Sequence, residues 1–118
     1  MTSPTQRTLA ELRKIGWTCA IVERWNQYAK IRQDLFGFID IVAIRPGEIL
    51  AVQACAGASH AARRDKIIAE PKSAQWLAAG GLIEIWSWRK AGERGKRKLW
   101  TPRVERIETF DHSQLASE

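Results

Sequence analysis

The segment from Asp34 to Gly57, DLFGFIDIVAIRPGEILAVQACAG, limits the possible folds of this chain more than any other. Two apolar runs rich in β-branched residues, Ile39 to Arg45 and Glu48 to Ala56, flank Pro46-Gly47. Such runs favour strands, and Pro-Gly is a turn pair, so the segment predicts a β-hairpin. Neither run alternates cleanly between polar and apolar, which is the pattern of strands covered on much of both faces. The hairpin must therefore lie at the centre of a sheet with other elements packed on it. A chain of 118 residues has room for one such core and one domain.

Asp40 stands in the first run and Gln53 in the second. An ionised carboxylate among apolar side chains is costly unless it is paired, hydrogen-bonded or bound to a cation. Taken singly, Asp40 reads as half of a salt bridge and Gln53 as a partner for backbone groups at a strand end. On adjacent paired strands, however, the two converge. The Asp40 carboxylate, the Gln53 side-chain oxygen and the Ala54 carbonyl then form a set of hard oxygen donors suited to Mg²⁺.

The remaining elements fall around this hairpin. Ser3-Pro4 is an N-cap followed by a first-turn proline, and Leu9, Leu12 and Ile15 make a helical stripe ending at Gly16, which predicts a helix over Ser3 to Ile15. Trp17 to Trp25, WTCAIVERW, predicts a strand, and NQYAKIRQD a polar loop. Ser59 is expected to cap a helix with Ala62, Ile67 and Ile68 on one side and Arg63, Arg64 and Lys66 nearby; Pro71 interrupts it, and a second helical segment runs from Pro71 to Ala79. After Gly80-Gly81, LIEIWSWRK alternates as a strand, and a final strand is expected within Lys98 to Phe110, leaving DHSQLASE (111–118) as a tail. The expected fold class is α/β, a central mixed sheet flanked by helices.

Six Trp and 45% hydrophobic residues argue against disorder, and no apolar run approaches the roughly 20 residues of a membrane span. The polar start, MTSPTQRTLAELRK, lacks a secretory pattern, so a cytoplasmic protein is expected. Cys19 and Cys55 have neither the number nor the spacing of a zinc site. The net charge of +6 favours a polyanionic partner. Arg89, Lys90, Arg94, Lys96, Arg97, Lys98 and Arg103 crowd around Gly92 and Gly95 against the single acid Glu93, and read either as a phosphate-binding loop or as a hairpin kept soluble by charge. His60 is a candidate phosphate contact or proton carrier against a plain role as a surface or capping residue. Trp25 and Trp100, beside basic residues, are weaker candidates for stacking on unpaired bases. Asp34 either caps a turn or, through a bend at Gly37, returns its carboxylate to Asp40.

The stretch GFIDIVAIRPGEILAVQAC resembles the central hairpin of the PD-(D/E)XK nuclease superfamily, particularly the archaeal-type Holliday-junction resolvases and small phage or prokaryotic relatives. The resemblance runs from Thr8 to about Trp88 and implies a restriction-endonuclease-like αβββαβ core. It places Asp40 at the metal-binding Asp, Gln53 at the acidic position of the second motif, Cys55 at the lysine position, and Glu11 where a further metal-linked acid often stands on the first helix. The sequence QAC thus replaces Glu-x-Lys, removing one negative ligand and the lysine. The resemblance implies Mg²⁺ or Mn²⁺ held by Asp40, Gln53 and the Ala54 carbonyl, with Glu11 as an additional ligand; Asp34, read from its own position before the Gly37 bend, is a further candidate ligand. The missing positive charge would come from Arg63, Arg64 or Lys66. The expected activity is hydrolysis of a DNA phosphodiester, with branched DNA the favoured substrate; the alternative is a weak or inactive nuclease-fold module that binds DNA. A homodimer, brought together through LIEIWSWRK, is expected to position two sites for paired incision.

Overall fold

The computed structural model describes residues 2–108. In chain order the elements are α1 (Pro4–Lys14), β1 (Thr18–Ile21), β2 (Arg24–Asn26), β3 (Ile31–Gln33), β4 (Ile41–Arg45), β5 (Glu48–Ala56), α2 (His60–Ala69), α3 (Pro71–Ala78), β6 (Leu82–Ala91) and β7 (Leu99–Ile107). Five strands form one mixed sheet in the order β1-β4-β5-β6-β7, while β2 and β3 pair separately as a short arm. Without that arm, α3 and β7, the order α1-β1-β4-β5-α2-β6 is the expected αβββαβ core.

The hairpin expected at the centre is there. β4 and β5 pair antiparallel from Ile41↔Val52 to Arg45↔Glu48 around the Pro46-Gly47 turn. β5 then pairs parallel with β6, from Leu50↔Leu82 to Ala56↔Trp88. A parallel pair needs a long crossover, which α2 and α3 supply. Each face of the sheet has its own core. Leu9 and Leu12 of α1 pack with Trp17, Ile41, Ala43, Leu50, Val52, Trp86 and Trp88 on one face; Ile67 of α2 packs with Phe38, Ile39, Ala51, Cys55, Ile83, Ile85 and Ile107 on the other. Coverage from both sides is why β5 shows almost no polar alternation. Each such fully buried aliphatic side chain contributes about 1.5–3 kcal/mol.

Local signals set the helices. Ser3 Oγ accepts from the Gln6 N–H at 3.2 Å, Pro4 fills the first position, and Gly16 follows the end of α1 with φ of +97°. The helix is fastened to β6 where Trp88 Nε1 donates to Thr8 Oγ1 at 2.9 Å. Pro71 opens α3, with the Glu70 carboxylate accepting from the Lys72 N–H. Gly81 is required next to it, because the Trp76 ring occupies the space a side chain at 81 would fill and donates to the Leu82 carbonyl at 2.9 Å.

Several expectations change. The run Trp17 to Trp25 is not one strand: it divides into β1 and β2, separated at Val22-Glu23. NQYAKIRQD is not a plain loop, because it holds the end of β2, the turn and β3, paired as Trp25↔Arg32 and Asn26↔Ile31. Ser59 makes no side-chain capping bond to α2. β6 lies between β5 and β7, so LIEIWSWRK cannot pair with a second copy; the outer strands are β1 and β7. β7 runs Leu99–Ile107 within the expected range and carries Pro102, a residue that sheets accept on outer strands where a missing N–H breaks no ladder. The expected tail at 111–118 lies outside the described residues. No helix among the described residues is long and apolar enough to cross a membrane.

Candidate metal centre

Asp40 sits in the bend just before β4, tied on both sides by backbone: its N–H donates to the Val52 carbonyl at 3.0 Å and its carbonyl accepts from the Val22 N–H at 2.8 Å. These bonds fix the side chain over the end of β5. There Asp40 Oδ2 accepts from Gln53 Nε2 at 2.6 Å and from the Ala54 N–H at 3.0 Å. Ala54 thus meets Asp40 through its amide. Asp40 is 4% exposed and Gln53 2%. The other Gln53 side-chain atom, Oε1, is buried with no hydrogen-bond partner among the described residues. Native structures rarely leave such an oxygen unmet, and each exception calls for an explanation.

Two further acids reach the same point. Asp34 leads into a tight turn in which the Gly37 N–H donates to the Asp34 carbonyl at 3.0 Å and the Phe38 N–H to the Leu35 carbonyl at 3.2 Å. Gly37 has φ of +81°, a backbone conformation that side-chain-bearing residues rarely adopt, so the turn favours glycine. The bend at Gly37 does return Asp34 to Asp40. Glu23 comes from the break between β1 and β2. Carboxylate oxygens of Glu23, Asp34 and Asp40 lie within 4.8 Å of one another. They face a cleft of about 350 Å³ that is also lined by Gln53, Ala54, Cys55, Arg32 and Arg63.

Three carboxylates this close cannot all ionise at low cost. Burial, followed by the hydrogen bond and the charge of Asp34, pushes the Asp40 carboxyl up to about 7, against the opposing pull of the Ala54 N–H. Burial also acts to raise Asp34, but hydrogen bonds from Asp40 and Lys66 outweigh it and hold that carboxyl below its ordinary value. Of the two, Asp40 is the carboxyl that takes up a proton more readily. Lys66 Nζ meets Asp34 Oδ2 at 2.9 Å, and Arg32 approaches Glu23 at 3.6 Å. Burial likewise raises the Cys55 thiol, keeping it neutral and unable to act as the cation of a Glu-x-Lys motif.

The remaining candidates separate clearly. Lys66 and Arg63 border the acids. Arg64 does not: its Nε donates to Glu105 at 2.8 Å. Glu11 pairs with Lys14 at 3.2 Å on α1 and is not among the clustered acids; the end of α1 that lines the cleft is its N-terminal turn, Pro4 and Thr5. His60 is 3% exposed, held between Ser87 Oγ at 2.6 Å and Glu105 at 2.8 Å, so it is a core residue and offers nothing to phosphate. Arg89, Lys90, Arg94, Lys96, Arg97 and Lys98 are exposed along the β6–β7 hairpin. Beside them, Arg7 and Lys90 lie 4.3 and 5.5 Å from the Trp100 ring centre. Glu23 was not foreseen, although an acid inside the apolar and aromatic run AIVERW repeats the anomaly that marked Asp40.

Glu23, Asp34 and Asp40 make a donor set of oxygens only, which suits Mg²⁺ or Mn²⁺ better than softer metals. No family model, curated protein or solved structure matches this chain.

Proposed function

We propose that this protein is a divalent-metal-dependent DNA endonuclease. The observation that carries the reading is the gathering of Glu23, Asp34 and Asp40 around one cleft, with Gln53 hydrogen-bonded to Asp40. Mg²⁺ or Mn²⁺ held there would offset the mutual repulsion of the three carboxylates. Glu23 takes the place that Glu11 was expected to fill. When bound, the ion supplies Lewis-acid polarisation of the phosphodiester and lowers the pKa of an attacking water. Glu23, Asp34 and Asp40 would hold the ion, and Gln53 fixes Asp40 through Nε2. Arg63 and Lys66, at the rim, provide the positive charge that Cys55 cannot. The net charge of +6 and the exposed β6–β7 hairpin supply sequence-independent attraction to the phosphate backbone.

One observation favours a second reading, a DNA-binding module that does not cut. Lys66 is already paired with Asp34 and Arg32 approaches Glu23, so two of the acids are compensated without any metal. Calorimetric titration with Mg²⁺ and Mn²⁺, then incubation with linear, flapped and four-way DNA, separates the two. Metal binding followed by cleavage supports the nuclease, and branched-DNA preference would support a resolvase-like substrate. DNA binding with neither metal uptake nor cleavage supports the module.

A further inference from the structure

The acids do not stand at the end of their surface. Asp34 also lines a second cleft, of about 520 Å³, between the β2–β3 arm and the turn that follows it. That volume falls in the range of about 300–1,000 Å³ typical of small-ligand pockets. Three aromatic rings open onto it: Trp25 is 62% exposed, Tyr28 92% and Phe36 48%. Large exposed aromatics contribute nothing to the core, and three around one cleft form an apolar surface that calls for a partner.

The arm is also built to hold its shape. Asn26 Oδ1 accepts from the Tyr28 and Ala29 N–H groups at 3.0 Å each, and its Nδ2 donates to Gln33 at 3.3 Å. Phe36 has φ of +54°, a conformation that non-glycine residues seldom hold and that tends to mark functional sites. Phe36 is half exposed and lines the cleft together with Asp34. Arg24 lines the same cleft, and Lys30 and Arg32 stand exposed along the arm. Aromatic faces interleaved with cations, continuous with a cluster of metal-type acids, match a nucleotide: a flat base to stack and a phosphate to neutralise.

We infer that the cleft between the β2–β3 arm and the Asp34–Phe38 turn receives one unpaired base of the DNA strand whose phosphodiester lies at Glu23, Asp34 and Asp40, with Trp25 and Phe36 as stacking surfaces. The inference rests on the nuclease reading for the position of the phosphodiester. It narrows the substrate to DNA in which a base is already unpaired, at a flap, junction or tail, because intact duplex keeps its bases out of such a cleft.

The test is binding without cleavage. In buffer containing EDTA, affinity is measured for a blunt duplex and for the same duplex carrying a single-stranded tail with 2-aminopurine as the first unpaired base. Wild type should prefer the tailed DNA and alter the fluorescence of the analogue by stacking. Trp25→Ala should lose roughly 5- to 160-fold on tailed DNA, the range given by stacking one base on an aromatic ring, and nothing on blunt DNA. Trp25→Phe should recover most of the loss, and Phe36→Ala should repeat it. Circular dichroism checks that the folds are intact. Equal wild-type affinity for both DNAs, an equal loss on both in Trp25→Ala, or a change in mass by light scattering in place of the lost preference would overturn the assignment; the last outcome would give the surface to a second copy of the chain. Tail preference that depends on Trp25, in a protein that neither binds metal nor cuts, would sink the nuclease reading and leave the base pocket standing.

Discussion

Replacing Asp40 with asparagine should abolish cleavage and make the protein more stable, with the gain confined to the upper pH range. Asp40 Oδ2 accepts two hydrogen bonds that an asparagine oxygen can also accept, from Gln53 Nε2 and the Ala54 N–H. The asparagine NH₂ would face Asp34 as a donor, just as the protonated acid does. Asn is thus an uncharged copy of the form that the folded protein prefers. Asp40 is pushed from an ordinary 3.8 up to about 7, so the folded chain holds this proton more tightly than the unfolded chain does. Stability contributed by the proton is therefore complete below about pH 4 and is lost as pH rises through about 7. At about 1.4 kcal/mol for each pH unit, the full loss is about 4 kcal/mol. Asp34 is shifted the other way, and its contribution is lost only as pH falls below its ordinary value, outside this window. Urea unfolding of wild type and Asp40→Asn at pH 5 and pH 8 measures the difference. The variant should exceed wild type by about 2–4 kcal/mol at pH 8 and by much less at pH 5. Mn²⁺ should recover stability for wild type at pH 8 and leave the variant unmoved. A variant no more stable than wild type at pH 8 would refute the raised Asp40 carboxyl.

Gln53→Glu adds a fourth carboxylate and removes the donor to Asp40; without metal its melting temperature should fall, whereas calorimetry should show Mn²⁺ binding tightened by about tenfold, since affinity for hard cations rises with ligand charge. Neutralising Arg94, Lys96, Arg97 and Lys98 together should lower the slope of log affinity against log salt by about 0.9 for every phosphate these side chains neutralise in the wild-type complex, and an unchanged slope would reduce the hairpin to a solubilising element. His60→Ala should cost about 2–4 kcal/mol in chemical denaturation, because it empties a buried site and strands the Ser87 hydroxyl, with DNA affinity unchanged. Light scattering at micromolar concentration should give about twice the chain mass of 13.4 kDa if paired incision is the mode of action; a monomer that stays monomeric on four-way DNA would leave only single-strand nicking.

The centre of the fold could be read because its signals are local. The β4–β5 hairpin follows from two apolar runs and Pro46-Gly47, and once that register exists Asp40 and Gln53 must meet. α1 and α3 announce themselves through Ser3-Pro4 and Pro71. The β2–β3 arm gave no such signal. Its strands are three residues each and mostly exposed, so no burial imposed a period on NQYAKIRQD. Glu23 was missed for the same reason, since its place beside Asp34 depends on where the arm leaves the sheet. His60 shows the opposite failure. Its partners, Ser87 and Glu105, lie 27 and 45 residues away, and only the α2 crossover brings them to it. Glu84 is similar: an acid in a buried strand, answered by Trp86 and by Arg106 at 2.7 Å across the β6–β7 register.

The borders of the sheet have a consequence for life in a crowded solution. An open sheet offers unpaired N–H and C=O groups along its outer strands, a template on which other chains can add themselves and aggregate. Here one border, β1, is only four residues long. The other, β7, is nine residues long, but Pro102 removes a donor near its middle, and Arg103, Glu105 and Arg106 set charges along it. A protein whose interior strands are as largely apolar as β5 carries a standing risk of amyloid-like stacking whenever it opens. The interrupted, charged β7 keeps that risk away from its longest accessible rim.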